Sequence, residues 1–245
     1  MTRQIEITKD GSHTMLSAAG NVPYHSRHGA LQESQHVYIH SAFDFVINAN
    51  PGTPVRIFEM GFGTGLNALL TFIRATELQL PVHYTSIETA PVTGPEARLL
   101  NFCEKLGRQD LQPVFNELHD SAWETNAIIN PFFTLRKIKT SIQDYNSAGM
   151  VDLVYYDAFA PSSQPELWTS EVFGKIAAFM EPNAVLITYC SKGDVKRAMK
   201  AVGLKVKKVP GPLYKRDILR VTKLPLDENG VPIQPVVRRS SSTRL

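Results

Sequence analysis

The sequence predicts an α/β fold: a seven-stranded, mostly parallel, Rossmann-like sheet with helices on both faces, behind a small N-terminal extension. Three observations predict it. From Val55 onward, short apolar runs that suit buried strands alternate with segments of helical periodicity. The first run, Val55-Arg56-Ile57-Phe58, passes through Glu59-Met60-Gly61-Phe62-Gly63-Thr64-Gly65 into the apolar-periodic stretch Leu66 to Leu78, a strand, glycine turn and helix in succession. A later apolar run, Val151 to Asp157, ends in an acid, where open α/β sheets bind their ligands.

The elements follow in order. Ile5 to Leu16 reads as a hairpin turning at Asp10-Gly11, Tyr24 to Ala30 as a loop, and Leu31 to Asn48 as a helix bearing Val37, Phe43 and Ile47. Asn50-Pro51-Gly52-Thr53-Pro54 breaks the chain before the first central strand. Strands are expected at 82–88, 135–140, 151–157 and 184–189, and helices at 94–106, 169–180 and 193–202. Lys205 to Val209 and Ile218 to Thr222 suit a closing antiparallel hairpin. This divides the chain into an extension (1–50), a main domain (51–224) and a Pro-, Ser- and Arg-rich tail (225–245) expected to be poorly ordered.

Composition narrows the setting. The 245 residues are 43% hydrophobic and 20% charged, enough to bury a full core, and the net charge is only +3. No apolar run approaches a membrane span, and the N-terminus lacks the apolar core of a signal peptide. The two cysteines, Cys103 and Cys190, are far apart without metal-ligand spacing, so a reduced cytoplasmic protein without a metal is expected.

The glycine turn leaves two nucleotide ligands open. A dinucleotide site favours Gly-x-Gly-x-x-Gly, which needs glycine at position 66, and Leu66 stands there. S-adenosylmethionine suits the turn Gly61, Phe62, Gly63, Thr64, Gly65 and Asn67 better, with Glu59 placed to hold the ammonium end of a methionine moiety. Glu88 closes the second strand in Ser86-Ile87-Glu88, where a carboxylate can accept both ribose hydroxyls; a solvated strand-end charge is the plain alternative. The second motif is Asp157-Ala158-Phe159-Ala160-Pro161, continuing through Gln164-Pro165-Glu166-Leu167-Trp168-Thr169. Its strand delivers Asp157 to the carboxyl edge of the sheet. Pro161 and Pro165 stiffen the loop, and Phe159 and Trp168 are either walls of a pocket or core residues under it.

Together these two motifs resemble the methyltransferase domain of the MnmC-type tRNA wobble-uridine enzymes. The likeness extends to Tyr24-His25-Ser26 and Leu31-Gln32-Glu33-Ser34 on one side, and to Thr188-Tyr189-Cys190-Ser191, Val195-Lys196-Arg197 and Lys215-Arg216 on the other, covering roughly residues 20–222. It implies a class I methyltransferase that uses S-adenosylmethionine to methylate the 5-aminomethyl group of a wobble uridine in tRNA. The flavin-dependent oxidase of the bifunctional relatives does not fit in a chain of this length, so an upstream enzyme is expected to supply the aminomethyl substrate. In one respect the sequence departs from the family, which places an acid after the third strand to hold adenine. Ser141 stands there, with Asp144 a little later.

In this reading Asp157, beside the cofactor methyl, is both a cofactor-binding residue and the catalytic one, orienting the amine and accepting its hydrogen bonds. Phe159, Pro161, Trp168, Tyr24 and Tyr189 are candidates for the uridine pocket. Lys192, Arg197, Lys215 and Arg216 stand for a basic C-terminal third, Lys192 to Lys223, that is expected to meet tRNA phosphates rather than form only a solvated surface. Arg238, Arg239 and Arg244 add attraction from the tail. Three alternatives remain open: a class I enzyme acting on a small amine by methyl or aminopropyl transfer, an NAD-dependent oxidoreductase, and an RNA-binding module without catalysis.

Overall fold

The computed structural model describes residues 3–17, 22–147 and 149–225; the expected tail beyond Pro225, with Arg238, Arg239 and Arg244, lies outside them. β1 (Ile5–Ile7) and β2 (His13–Met15) pair antiparallel, Ile5 opposite Met15, and Gly11 turns the hairpin at φ 81. A continuous helical segment then spans 30–49, but its middle, Gln35–Phe43, is wound as a π-helix. Apolar spacing does not distinguish that winding from the ordinary helix expected there.

The main sheet comprises β3 (Val55–Met60), β4 (Val82–Ile87), β5 (Asn126–Asn130), β6 (Phe133–Ile138), β7 (Val151–Tyr156), β8 (Met180–Thr188), β9 (Leu204–Pro210) and β10 (Asp217–Lys223). Their order is β5-β6-β4-β3-β7-β8-β10-β9. The sheet therefore has eight strands, not the seven expected. The extra strand is β5, whose Asn-Ala-Ile-Ile-Asn is short and shows no alternation to mark it. β6, β4, β3, β7 and β8 run parallel, while β5, β10 and β9 join antiparallel at the edges.

Alternate residues of the central strands enter cores on opposite faces. Leu153 and Tyr155 of β7 join Ile57, Leu69 and Phe72 on the face covered by the helices 30–49 and Leu66–Leu78. Val154 and Tyr156 join Phe58, Phe173, Ile176, Val195 and Met199 under the helices Ser170–Phe179 and Gly193–Ala201. The long helix expected at 94–106 is instead two short ones, Gly94–Ala97 and Phe102–Lys105, interrupted around Leu100. An additional helix, Gln112–Asp120, packs beside the glycine turn.

Strand order reverses about β3, with β4 and β6 on one side and β7 and β8 on the other. Ligands of doubly wound sheets bind outside the carboxyl ends at such a reversal. Met60 lies opposite Tyr156 in the β3–β7 ladder, so Gly61 and Asp157 leave the sheet side by side.

Candidate active site

Three glycines shape the turn after β3: φ is 91 at Gly61, 51 at Gly63 and 72 at Gly65, values that side chains disfavour. The Gly63 N–H donates to Glu88 Oε2 at 3.0 Å, and Oε1 of the same carboxylate accepts from Thr89 and Ala90 at 2.8 and 2.9 Å. Glu88 thus braces the turn and still faces the cleft. Thr64 is gripped from both sides, by His25 Nε2 on its hydroxyl at 2.6 Å and by His119 Nε2 donating to its carbonyl at 3.0 Å. Burial lowers both histidines to about 4, so each ring is neutral, and the single N–H of His119 is on Nε2. Neither histidine stands out in the sequence as a site residue, although His25 adjoins the expected Tyr24.

Asp157 is held by groups from two helices. Tyr38, on the π-wound segment, donates its hydroxyl to Oδ1 at 2.5 Å, and Asn67 Nδ2 donates to Oδ2 at 2.8 Å. Asn67 Nδ2 also reaches Glu59 Oε1 at 3.1 Å, and Ser86 donates to Glu59 Oε2 at 2.8 Å. Burial raises Asp157 to about 7, against the lowering effect of the Tyr38 and Asn67 bonds. Burial likewise raises Glu59 to about 8, with the nearby Asp157 charge pushing the same way. Asn67 Oδ1 is buried without a partner among the described residues, an acceptor left beside the two acids.

A cleft of about 570 Å³ opens over this arrangement. Gly61, Phe62, Gly63, Thr64, Asn67 and Glu88 line one side, and Ser141, Asp157, Phe159 and Tyr24 complete it. Tyr24 meets Phe159 edge-on with ring centroids 5.0 Å apart, closing a bridge between the Asp157 loop and the turn. Gly65 lies behind the turn, as the N-cap of the helix Leu66–Leu78.

Other expected residues take different places. Glu59, expected to hold the ammonium directly, is 1% exposed and off the cleft wall, where it accepts from the lining residue Asn67. Ser141 Oγ is bound to Asp144 Oδ2 at 2.7 Å, and Gln143 joins the lining beside it as an unforeseen amide. Trp168 is buried and donates Nε1 to Phe159 O at 2.8 Å, bracing the loop from beneath. Pro161 lies in the same loop, outside the lining. Tyr189 is off the wall too, donating its hydroxyl to Ala158 O at 2.9 Å.

The basic residues divide. Lys215 is tied to Glu33 at 2.9 Å and lies 4.5 Å from the Tyr189 ring centroid, so it belongs to the cleft's shoulder rather than to a free phosphate surface. Glu33 also accepts from the Ser26 N–H, so it ties the 24–30 loop to its helix. Arg197 pairs with Asp194, Lys208 with Asp217, and Arg220 packs over Phe45. Among the described residues no salt bridge engages Lys192 or Arg216, both exposed.

Comparisons with known proteins agree with this architecture. Residues 123–224 match a family described as S-adenosyl-L-methionine-dependent methyltransferase. The chain is 29% identical over 230 residues to the "tRNA 5-methylaminomethyl-2-thiouridine biosynthesis bifunctional protein MnmC" of Pseudomonas syringae pv. tomato, covering 90% of this chain and 35% of that protein. The MnmC of Methylobacillus flagellatus is 30% identical over 205 residues, 80% of this chain and 32% of the relative. The chain thus spans about a third of the length of the curated relatives it matches. The crystal structure of MNMC2 from Aquifex aeolicus superposes with a TM-score of 0.69 at 22% identity, over 95% of this chain and 78% of that one.

The site fits the methyl donor that the matching family uses. The turn brings backbone close, Glu88 retains lone pairs toward the cleft, Ile87 and Ile142 offer apolar walls, and Asn67 Oδ1 awaits a donor. The expected fold class and cofactor are both borne out. Over the length it shares with them the chain is similar to the MnmC proteins, and its fold is that of a class I methyltransferase.

Proposed function

We propose that this protein transfers a methyl group from S-adenosylmethionine to the amine of a 5-aminomethyl group on a tRNA wobble uridine, yielding the 5-methylaminomethyl product. The observation that carries this reading is the position of Asp157: a carboxylate beside the glycine turn, facing the cleft, held by two donors and raised to about 7.

Bound S-adenosylmethionine supplies an electrophilic methyl on a sulfonium. What remains for the protein is alignment, which contributes several kcal/mol in well-oriented displacements. Gly61 to Thr64 and Glu88 would hold the donor, and the open acceptor Asn67 Oδ1 would suit its ammonium. An alkylammonium has no lone pair until it loses a proton. Asp157 receives the cationic amine and orients its N–H groups; the proton leaves to solvent or through the carboxylate, whose value near 7 suits either direction at neutral pH. Tyr38 and Asn67 keep the carboxylate from rotating away. Phe159 and Tyr24 form the aromatic wall toward the base, and Lys192 and Arg216 meet the RNA backbone. An anticodon-loop base is unpaired, so drawing it into the cleft costs less than flipping one from a duplex.

The test is nucleoside mass spectrometry of tRNA carrying 5-aminomethyl-uridines after incubation with protein and S-adenosylmethionine. A gain of one methyl at the wobble nucleoside is expected. Asp157→Asn and Asp157→Ala are expected to abolish it while retaining cofactor binding; near-normal methylation by both would remove Asp157 from the chemistry.

A further inference from the structure

At the cleft's shoulder, the loop between β9 and β10 displays two large side chains to solvent. Leu213 is 79% exposed and Tyr214 60% exposed. The Tyr214 ring stacks on the exposed His28 ring, centroids 4.4 Å apart and planes 20° from parallel, with Lys9 Nζ 5.5 Å from the Tyr214 centroid. The loop is anchored on both flanks. His36 Nε2 donates to Pro210 O at 2.9 Å, and Lys215 Nζ donates to Glu33 Oε1 at 2.9 Å. Through Lys215, which lies over Tyr189, and the Tyr189 hydroxyl on Ala158 O, the stacked pair is connected by contacts to the residue next to Asp157.

The stack stands open to solvent, with a face free for a partner's contact. Its surroundings say what kind of partner that is. Lys9 and the exposed Arg216 flank the stack. Of the acids on the neighbouring segments, Glu33 is paired with Lys215, Glu6 with Arg27 and Asp217 with Lys208, and Asp10 accepts from Thr8, Ser12 and Gln32. Flat π-faces within a positive rim suit a nucleobase on a phosphate backbone, since bases stack on aromatic side chains and cations follow the phosphates. A protein partner covering Leu213 and Tyr214 would have to bring acidic groups as well.

We propose that Tyr214 and His28 form a stacking platform for a base adjacent in the RNA to the nucleotide held in the cleft. The proposal rests on the tRNA reading above and adds a substrate-gripping element outside the cofactor cleft. Such a base is unpaired in an anticodon loop and so has a face available.

The experiment compares binding of an anticodon stem-loop RNA to wild type, Tyr214→Ala and Tyr214→Phe, and repeats each with an abasic residue on either side of the wobble position. Tyr214→Ala should weaken binding about ten-fold, the scale of one lost base–aromatic stack. Tyr214→Phe should restore it. An abasic site at the stacked position should weaken wild type equally and Tyr214→Ala no further. Unchanged S-adenosylmethionine affinity and melting temperature in Tyr214→Ala confirm that the variant is folded. Equal RNA binding by Tyr214→Ala and wild type, or additive losses at both abasic positions, would overturn the platform, and the first result would leave a protein partner as the occupant. If wild type methylates the RNA in either case, only the platform falls; if wild type neither binds nor methylates it, the tRNA reading falls as well.

Discussion

The Tyr38 hydroxyl donates to Asp157 Oδ1 at 2.5 Å, joining the π-wound N-terminal segment to the end of β7 across 119 positions of chain. This bond favours the charged carboxylate and opposes the upward push of burial. Tyr38→Phe therefore leaves Asp157 protonated to higher pH. The acid limb of kcat/KM is expected to move to higher pH, with activity at pH 7 falling about ten-fold, the effect of one lost hydrogen bond to a charged group. A pH–rate profile superimposable on wild type would refute the role.

Glu59 and Asp157 share the Asn67 amide, and burial holds them at about 8 and about 7. Both are thus partly protonated at neutral pH in the free protein. A sulfonium and an ammonium arriving beside them favour the ionised forms. Binding of S-adenosylmethionine at pH 7 should release protons, read as a calorimetric enthalpy that varies with the ionisation heat of the buffer. Glu59→Gln should reduce the release. A buffer-independent enthalpy would contradict the coupling.

The protonation of these two acids also sets the stability of the free protein. Both have folded values above their ordinary 3.8 and 4.5, so between about 4 and 8 the folded state binds more protons than the unfolded one. Stability then falls as pH rises through that window. The loss reaches several kcal/mol for the pair, because each tenfold difference in proton affinity between the folded and unfolded states is worth about 1.4 kcal/mol. Asp157→Asn removes one contribution. Its melting temperature should exceed that of wild type at pH 8, and the gap should narrow at pH 5. A constant gap at both pH values would count against the linkage.

Gly65 and Gly52 share a left-handed conformation, φ 72 and 73, but not their surroundings. A Cβ at Gly65 would lie 2.7 Å from His119 Nε2, whereas one at Gly52 meets nothing within 4 Å. Gly52→Ala should cost only the backbone strain, about 1–2 kcal/mol, and leave cofactor affinity intact. Gly65→Ala should cost more and weaken S-adenosylmethionine binding at least ten-fold by displacing His119 and the Thr64 carbonyl. Equal melting curves for the two variants would remove the distinction.

What was legible in the sequence is what is contiguous there. The glycine turn, Glu88 and the Asp157 loop each occupy one stretch after one strand, so spacing alone placed them around one cleft. Tyr38 could not be read this way. Its link to Asp157 depends on a π-wound register and on distant elements meeting, neither of which shows in apolar periodicity. His25 and His119 grip Thr64 for the same tertiary reason. Lys215 shows the limit of reading charge: its sign was visible, but Glu33, 182 positions away, determines where it points. Trp168 was open in the sequence between a pocket wall and a core residue under the loop, and its indole N–H on Phe159 O turns the ring inward, to the second of these.

β9 carries Lys205, Lys207 and Lys208 exposed along the sheet's outer boundary and ends at Pro210. At the opposite boundary, β5 is only five residues long and breaks register between Ile128 and Asn130. A strand with a free row of N–H and C=O groups invites another chain to pair with it, and positive charge, proline, brevity and bulges each discourage this. Both ends of the eight-stranded sheet are thus closed to growth. The exposed lysines of β9 thus discourage a second copy from pairing along that edge, a role apart from any that they play toward phosphates.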